Sequence, residues 1–155
     1  MHTFLPLMRE LKLAIFDVAG TVIEDHGEVV SSLVDALAAH GIGVSSEELL
    51  ELKGAAKREA IRFFGWRKRR EPLTDAALEA VYTDFVRLVN SRYEEQLAPI
   101  AGVEDVFESL RKRGMQLALT TGFGRPTLEL VVQRLGWQEW FAASVSSDEV
   151  AAGRR

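Results

Sequence analysis

Two short apolar runs, each closed by a polar residue and a glycine, constrain this chain more than any other feature. Residues 11–16, LKLAIF, stop at Asp17 and Gly20, and residues 116–120, QLALT, stop at Thr121 and Gly122. Neither run alternates cleanly, which is how a strand reads when helices cover both faces of a parallel sheet. A third, weaker run extends from Phe141 to Val145.

Between the runs the apolar period changes to that of helices. Val30, Leu33, Val34 and Leu37 fall on one stripe with Gly41 as the stop, and Ser45 with Glu48 reads as a capping box. A further helix is expected from about Gly54, turning Ala60, Ile61 and Phe64 inward. A long amphipathic helix follows through Leu78, Val81, Tyr82, Phe85, Leu88 and Val89. After Pro99 and Gly102, Val103, Val106, Phe107 and Leu110 mark a helix that ends at Gly114, and Pro126 to Gly136 brackets another. Strand, helical insertion, helix, strand, helix, strand is the order of an α/β fold with right-handed crossovers.

Composition narrows the function. At 155 residues the chain can hold one core and a small insertion. A net charge of −4 gives no reason to expect nucleic acid or an anionic membrane as partner. The absence of cysteine excludes disulfide and thiolate chemistry and suits a reducing, cytoplasmic setting. The N-terminal residues lack the pattern of a signal peptide, and no apolar stretch nears the ~18 residues that span a bilayer. The basic cluster Arg67 to Arg70 reads as a solvated turn between helices.

Ligands of open parallel sheets bind beyond the carboxyl ends of the strands, and Asp17 sits at such an end. A tight turn at Gly20 is expected to aim the amides of Val18 to Thr21 at an anion. A carboxylate among such amides makes sense as a nucleophile toward phosphorus, with Mg²⁺ offsetting the repulsion between anions. From these residues alone, a turn former or helix cap is the favoured reading of Asp17.

The run FDVAGT resembles the first motif of the haloacid dehalogenase (HAD) superfamily, with Ala19 where most members carry a second aspartate. That version resembles the phosphonatase branch, represented by phosphonoacetaldehyde hydrolase. LALTTGFGR resembles the second motif and SSDEVAAGR the approach to the third. The resemblance implies Asp17 as nucleophile and Gly20, Thr21, Thr121, Gly122 and Arg154 as substrate ligands. It implies Mg²⁺ on Asp17 and the Ala19 carbonyl, and a small phosphorylated or phosphonate substrate. It also implies a Rossmannoid core of residues 1–26 and 99–155, with about three strands, and an all-helical cap of residues 27–98. LKGAAKREAI resembles the cap segment whose lysine forms a Schiff base with the substrate aldehyde, which matches Lys57 to that position, and a substrate-binding or merely solvated helix lysine are the other readings of it. The chain departs from that pattern at Ala60, where the family has histidine, and at Lys53, where it has methionine.

Relatives continue past the Gly-Arg of the third motif into a further helix and an acidic strand. The expectation is therefore a C-terminally truncated form with weak metal binding, little turnover, and a first strand that exposes an apolar edge, open to pairing as a homodimer, and the faces that those elements would cover. A phosphomonoester phosphatase and a catalytically silent binding module are the alternative functions. His26 and His40 read as surface or turn residues, and Asp148 and Glu149 as structural loop residues. Trp66, Trp137 and Trp140 read as packing or rim residues, and Gly122 with Gly124 is spaced wrongly for a dinucleotide fingerprint.

Overall fold

The computed structural model describes residues 11–52 and 54–150. Three strands, β1 (Leu13–Asp17), β2 (Gln116–Thr120) and β3 (Ala143–Val145), form one sheet in that order. Both pairings are parallel, with Asp17 opposite Thr120 and Thr120 opposite Val145. The α/β architecture is the expected one, and β2 has the expected bounds. β1 starts two residues later than the apolar run and includes Asp17.

β2 is covered on both faces, with Leu117, Ala118 and Leu119 all buried. β1 is not. Phe16 packs edge-on against Phe107, from the helix that precedes β2, at 5.2 Å between centroids, while Leu13 and Ile15 are 48% and 60% exposed. Among the described residues the burial on both faces that the apolar run alone suggests does not hold for β1, and the open face expected where further elements are missing does. Its side chains alternate between a packed and an open face, as period-two geometry requires when helices cover only one side.

Among the described residues five helices separate β1 from β2, and the first four make up the insertion: α1 (Glu28–Ala39), α2 (Ser46–Leu50), α3 (Lys57–Arg69) and α4 (Asp75–Gln96). α1 packs against α4 through Val29, Ser32, Leu33, Ala36 and Leu37, so its buried stripe is turned from the expected one, and Val30 and Val34 are only half-buried. The small side chains of Ser32 and Ala36 sit on this seam, and the Ser32 hydroxyl accepts a hydrogen bond from Arg92 of α4. The capping box of α2 forms on both sides. The Glu48 N–H donates to the Ser45 hydroxyl at 3.2 Å, and the Ser45 N–H donates to the Glu48 carboxylate at 3.0 Å.

α3 begins at Lys57 rather than near Gly54, and buries Ala60, Ile61 and Phe64 as expected. The basic cluster that ends it is held by exposed partners within the insertion. Arg67 pairs with Glu51 at 2.8 Å, Lys68 with Glu48 at 2.6 Å, and Arg69 donates to the His40 carbonyl at 2.6 Å. α4 is capped by the Thr74 hydroxyl, which accepts from the Ala77 N–H at 3.2 Å.

α5 (Val103–Lys112) and α6 (Arg125–Arg134) complete the helices, and a 3-10 turn follows at Ser147–Glu149. Phe107 of α5 is fully buried and meets Trp137 and Phe141 edge-on at 5.3 and 5.1 Å, an aromatic knot beneath the sheet. Val106, expected to face inward, is exposed, because its neighbour Phe107 takes the core-facing position. Among the described residues, no helix is long and apolar enough to cross a membrane.

Candidate active site

The register of the sheet decides what meets at its carboxyl end. Asp17 closes β1 opposite Thr120, so Thr121, one residue further, stands beside the Asp17 side of the crevice. Thr121 is buried, and its N–H donates to the Val145 carbonyl at 3.0 Å. Its hydroxyl oxygen accepts from the Phe123 N–H at 3.1 Å, which leaves the hydroxyl proton to donate to a ligand.

The turn after Asp17 is wound around one carbonyl. That of Val18 accepts from the N–H groups of Thr21, Val22 and Ile23 at 3.0 to 3.2 Å, and Gly20 takes φ 73° to allow it. The Gly20 N–H donates to the Ile23 carbonyl at 2.9 Å. The expected cradle is therefore smaller than the sequence suggested. The amides of Gly20 and Thr21 are engaged inside the turn, and the cavity wall here comes from Asp17 and Ala19.

That cavity, about 340 Å³, lies between the strand ends and the helical insertion. Asp17 and Ala19 line it from β1, Thr121, Gly122 and Phe123 from β2, and Asp25 and Lys57 from the insertion and its entry. Lys57 is the first residue of α3 and half-buried. Burial depresses its pKa, while the nearby carboxylates of Asp25 and Asp17 partly restore it. A lysine at a helix start and poorly hydrated holds its neutral amine more readily than a surface lysine does, even with two carboxylates nearby that favour the charged form.

Asp25 is the site residue that sequence reasoning missed. It belongs to no motif, and its nearest sequence signal is that of a turn former, since its carboxylate accepts from the Gly27 N–H at 3.1 Å. Only the fold reveals that the turn directs it toward Lys57. Arg154 lies outside the described residues.

Asp17 and Ala19 both line the cavity, and a carboxylate and a backbone carbonyl are hard oxygen donors of the kind Mg²⁺ takes. Among the described residues, no backbone N–H outside the helices and strands donates to the Ala19 carbonyl, and no group of three His, Cys, Asp or Glu side chains forms a metal cluster. The residues present therefore fit a hydrated Mg²⁺ that also takes substrate oxygens, with two protein ligands.

The residues set aside earlier have other partners. His26 meets Glu24 and His40 meets Asp84, each at 2.9 Å. Asp148 accepts from the Arg125 N–H at 3.0 Å, and Glu149 from the Ser146 N–H at 2.8 Å, tying the loop after β3 to the start of α6. Trp137 is buried and donates to the Glu104 carboxylate at 2.7 Å, whereas Trp66 is exposed.

Residues 11–154 match the family model of haloacid dehalogenase-like hydrolases. The chain is 30% identical over 159 residues to a phosphonoacetaldehyde hydrolase of Bacillus cereus (strain B4264), covering 94% of this chain and 59% of that protein. It is 27% identical to the phosphonoacetaldehyde hydrolase of Bacillus anthracis, with the same coverage. The chain thus spans 59% of the length of these curated relatives. Two solved structures share the fold. A hydrolase from Pseudomonas syringae superposes with a TM-score of 0.79 at 20% identity, over 93% of this chain and 64% of that one. CbbY from Rhodobacter sphaeroides, solved in complex with xylulose-(1,5)bisphosphate, gives 0.78 at 22% identity, over 92% and 66%.

Proposed function

Because the chain belongs to the haloacid dehalogenase-like hydrolase family, we propose that it is built for Mg²⁺-dependent cleavage of a carbon–phosphorus bond, with Asp17 as nucleophile and Lys57 as the amine that activates the carbon side. One observation carries this reading. Asp17, Thr121 and Lys57, drawn from two neighbouring strand ends and a helix start, line one cavity.

Carbon is a poor leaving group, so the electrons of the breaking bond need somewhere to go. The neutral Lys57 amine adds to a substrate carbonyl, water leaves, and the protonated imine is the electron sink. An Asp17 oxygen then attacks phosphorus, the carbon–phosphorus bond breaks, and its electron pair enters the imine to give an enamine. Thr121 donates its hydroxyl proton to a phosphoryl oxygen and fixes that group in line with Asp17. The enamine takes a proton at carbon, and water releases the aldehyde and regenerates Lys57. A second water cleaves the acyl phosphate and frees Asp17. Asp25, which lines the same cavity and interacts with Lys57, would be the carboxylate that moves protons at the imine, where Ala60 offers none. Mg²⁺ on Asp17 and the Ala19 carbonyl would neutralise charge between carboxylate and phosphorus-bound oxygens.

We take the four-helix insertion as the cap over this site and the cytoplasm as its compartment, given a cysteine-free chain. The test is Mg²⁺-dependent release of phosphate and aldehyde from phosphonoacetaldehyde by the purified 155-residue protein. Asp17→Asn is expected to remove it, and borohydride added with substrate is expected to label Lys57. Release from p-nitrophenyl phosphate without labelling of Lys57 transfers the reading to phosphate esters. Ligand binding without turnover makes the chain a silent binding module.

A further inference from the structure

The two ends of the cavity differ in chemistry. Its floor offers Asp17, the Ala19 carbonyl, Thr121 and Gly122. The wall supplied by the insertion is formed by Val29, Val30 and Leu33 of α1 and by Leu49, Leu50 and Leu52 in and after α2. Ala60 lines the same side, and among the described residues Lys57 and Asp25 are the ionisable residues that the insertion and its entry bring to the cavity. The cavity is open on one side, and its volume, about 340 Å³, equals the liquid volume of roughly eleven waters. A phosphono group with a two-carbon tail leaves much of it unfilled.

Resting on the reading of Asp17 and Thr121 as the phosphorus end, we infer that beyond the carbonyl met by Lys57 the carbon chain joined to phosphorus continues as an apolar alkyl or aryl group, longer than the two carbons of phosphonoacetaldehyde, and not as a hydroxylated carbon skeleton. A hydroxyl pressed against the valine and leucine side chains gives up its water partners and finds no replacement, which costs roughly tenfold or more in affinity. A methylene in the same place gains about fourfold. The six aliphatic side chains therefore discriminate by chemistry as well as by size. Lys57 and Asp25 sit where the tail leaves the phosphorus end, so a polar function is accommodated near phosphorus and apolar bulk beyond it.

Calorimetric titration of the 155-residue protein in Mg²⁺ tests this, with inorganic phosphate, methyl-, butyl- and hexylphosphonate, and 2,3-dihydroxypropylphosphonate as ligands. Affinity is expected to climb about fourfold per added methylene until the cavity fills. The dihydroxy ligand is expected to bind at least tenfold more weakly than butylphosphonate. Leu33→Asn is expected to flatten the series, and Leu50→Asn, at a side chain 54% exposed and so tolerant of change, does the same should the first variant not fold. Phosphate binding with a flat alkyl series, or with the dihydroxy ligand as tight as butylphosphonate, overturns the inference and leaves the phosphorus site standing. Absence of binding by phosphate and by every phosphonate removes the phosphorus site itself, and the inference with it.

Discussion

Tyr93→Phe is expected to make the protein more stable. The Tyr93 ring is buried in α4 and meets Phe123 edge-on, 5.9 Å between centroids, a contact that phenylalanine keeps. Its hydroxyl has no hydrogen-bond partner among the described residues. Burial, and then the negative charges of Asp25 and Glu28, push its pKa well up, so the group stays a neutral phenol. In the unfolded chain that hydroxyl is hydrated, and burying it unpaired costs about 1–3 kcal/mol. Removing one oxygen leaves a void too small to matter beside that cost, so a gain of about 1–2 kcal/mol is expected. For a chain of this length that raises Tm by about 2–8 °C, read by differential scanning calorimetry at one pH and protein concentration. A Tm that falls by a degree or more refutes the reasoning, because it means that the hydroxyl is hydrogen-bonded in solution.

Phe107→Ala, at the centre of the aromatic knot, is expected to cost about 3–5 kcal/mol, seen as a lower urea midpoint. Lys57→Met is expected to raise stability at neutral pH. Burial lowers the native pKa of Lys57, so its penalty is full below that value and is relieved as pH rises toward the ordinary 10.5. The variant should therefore lose the upward slope of stability against pH in that window, measured by denaturant midpoints. Asp148 behaves oppositely. Burial raises its pKa, but the Ser146 hydroxyl and the Arg125 amide outweigh that and hold it below the usual 3.8. Its contribution is present above that value and disappears as pH falls through the lowered one, so hydrogen exchange at the Arg125 amide should accelerate there and not at pH 6.

The sheet was legible because buried strands leave an unbroken apolar signature, and QLALT at β2 is the plainest case. The same signature misled at β1, where Leu13 and Ile15 look as buried as Leu117 and Leu119 yet face outward among the described residues. Local sequence cannot report which face a distant helix will cover. Helix caps such as Ser45 with Glu48 were readable because all their partners lie within one turn. In the site, Asp17, Thr121 and Lys57 were found through motif resemblance, and the fold brings all three to one cavity. Asp25 was illegible, since its role depends on where α3 starts, more than thirty residues away. The internal engagement of the Gly20 and Thr21 amides was also hidden, because a glycine predicts a turn without saying which carbonyl the turn winds around.

The ladder between β1 and β2 has a mechanical consequence. Its five paired residues, from Leu13 with Gln116 to Asp17 with Thr120, are what align the two strand ends. Sliding one strand by a single residue would invert every side chain along it and carry the carboxylate or the hydroxyl to the wrong face. Alignment of the reacting groups is thus inherited from backbone pairing some distance below them. Substitutions at Ala14 or Ala118 that disturb this pairing should abolish chemistry without touching a ligand.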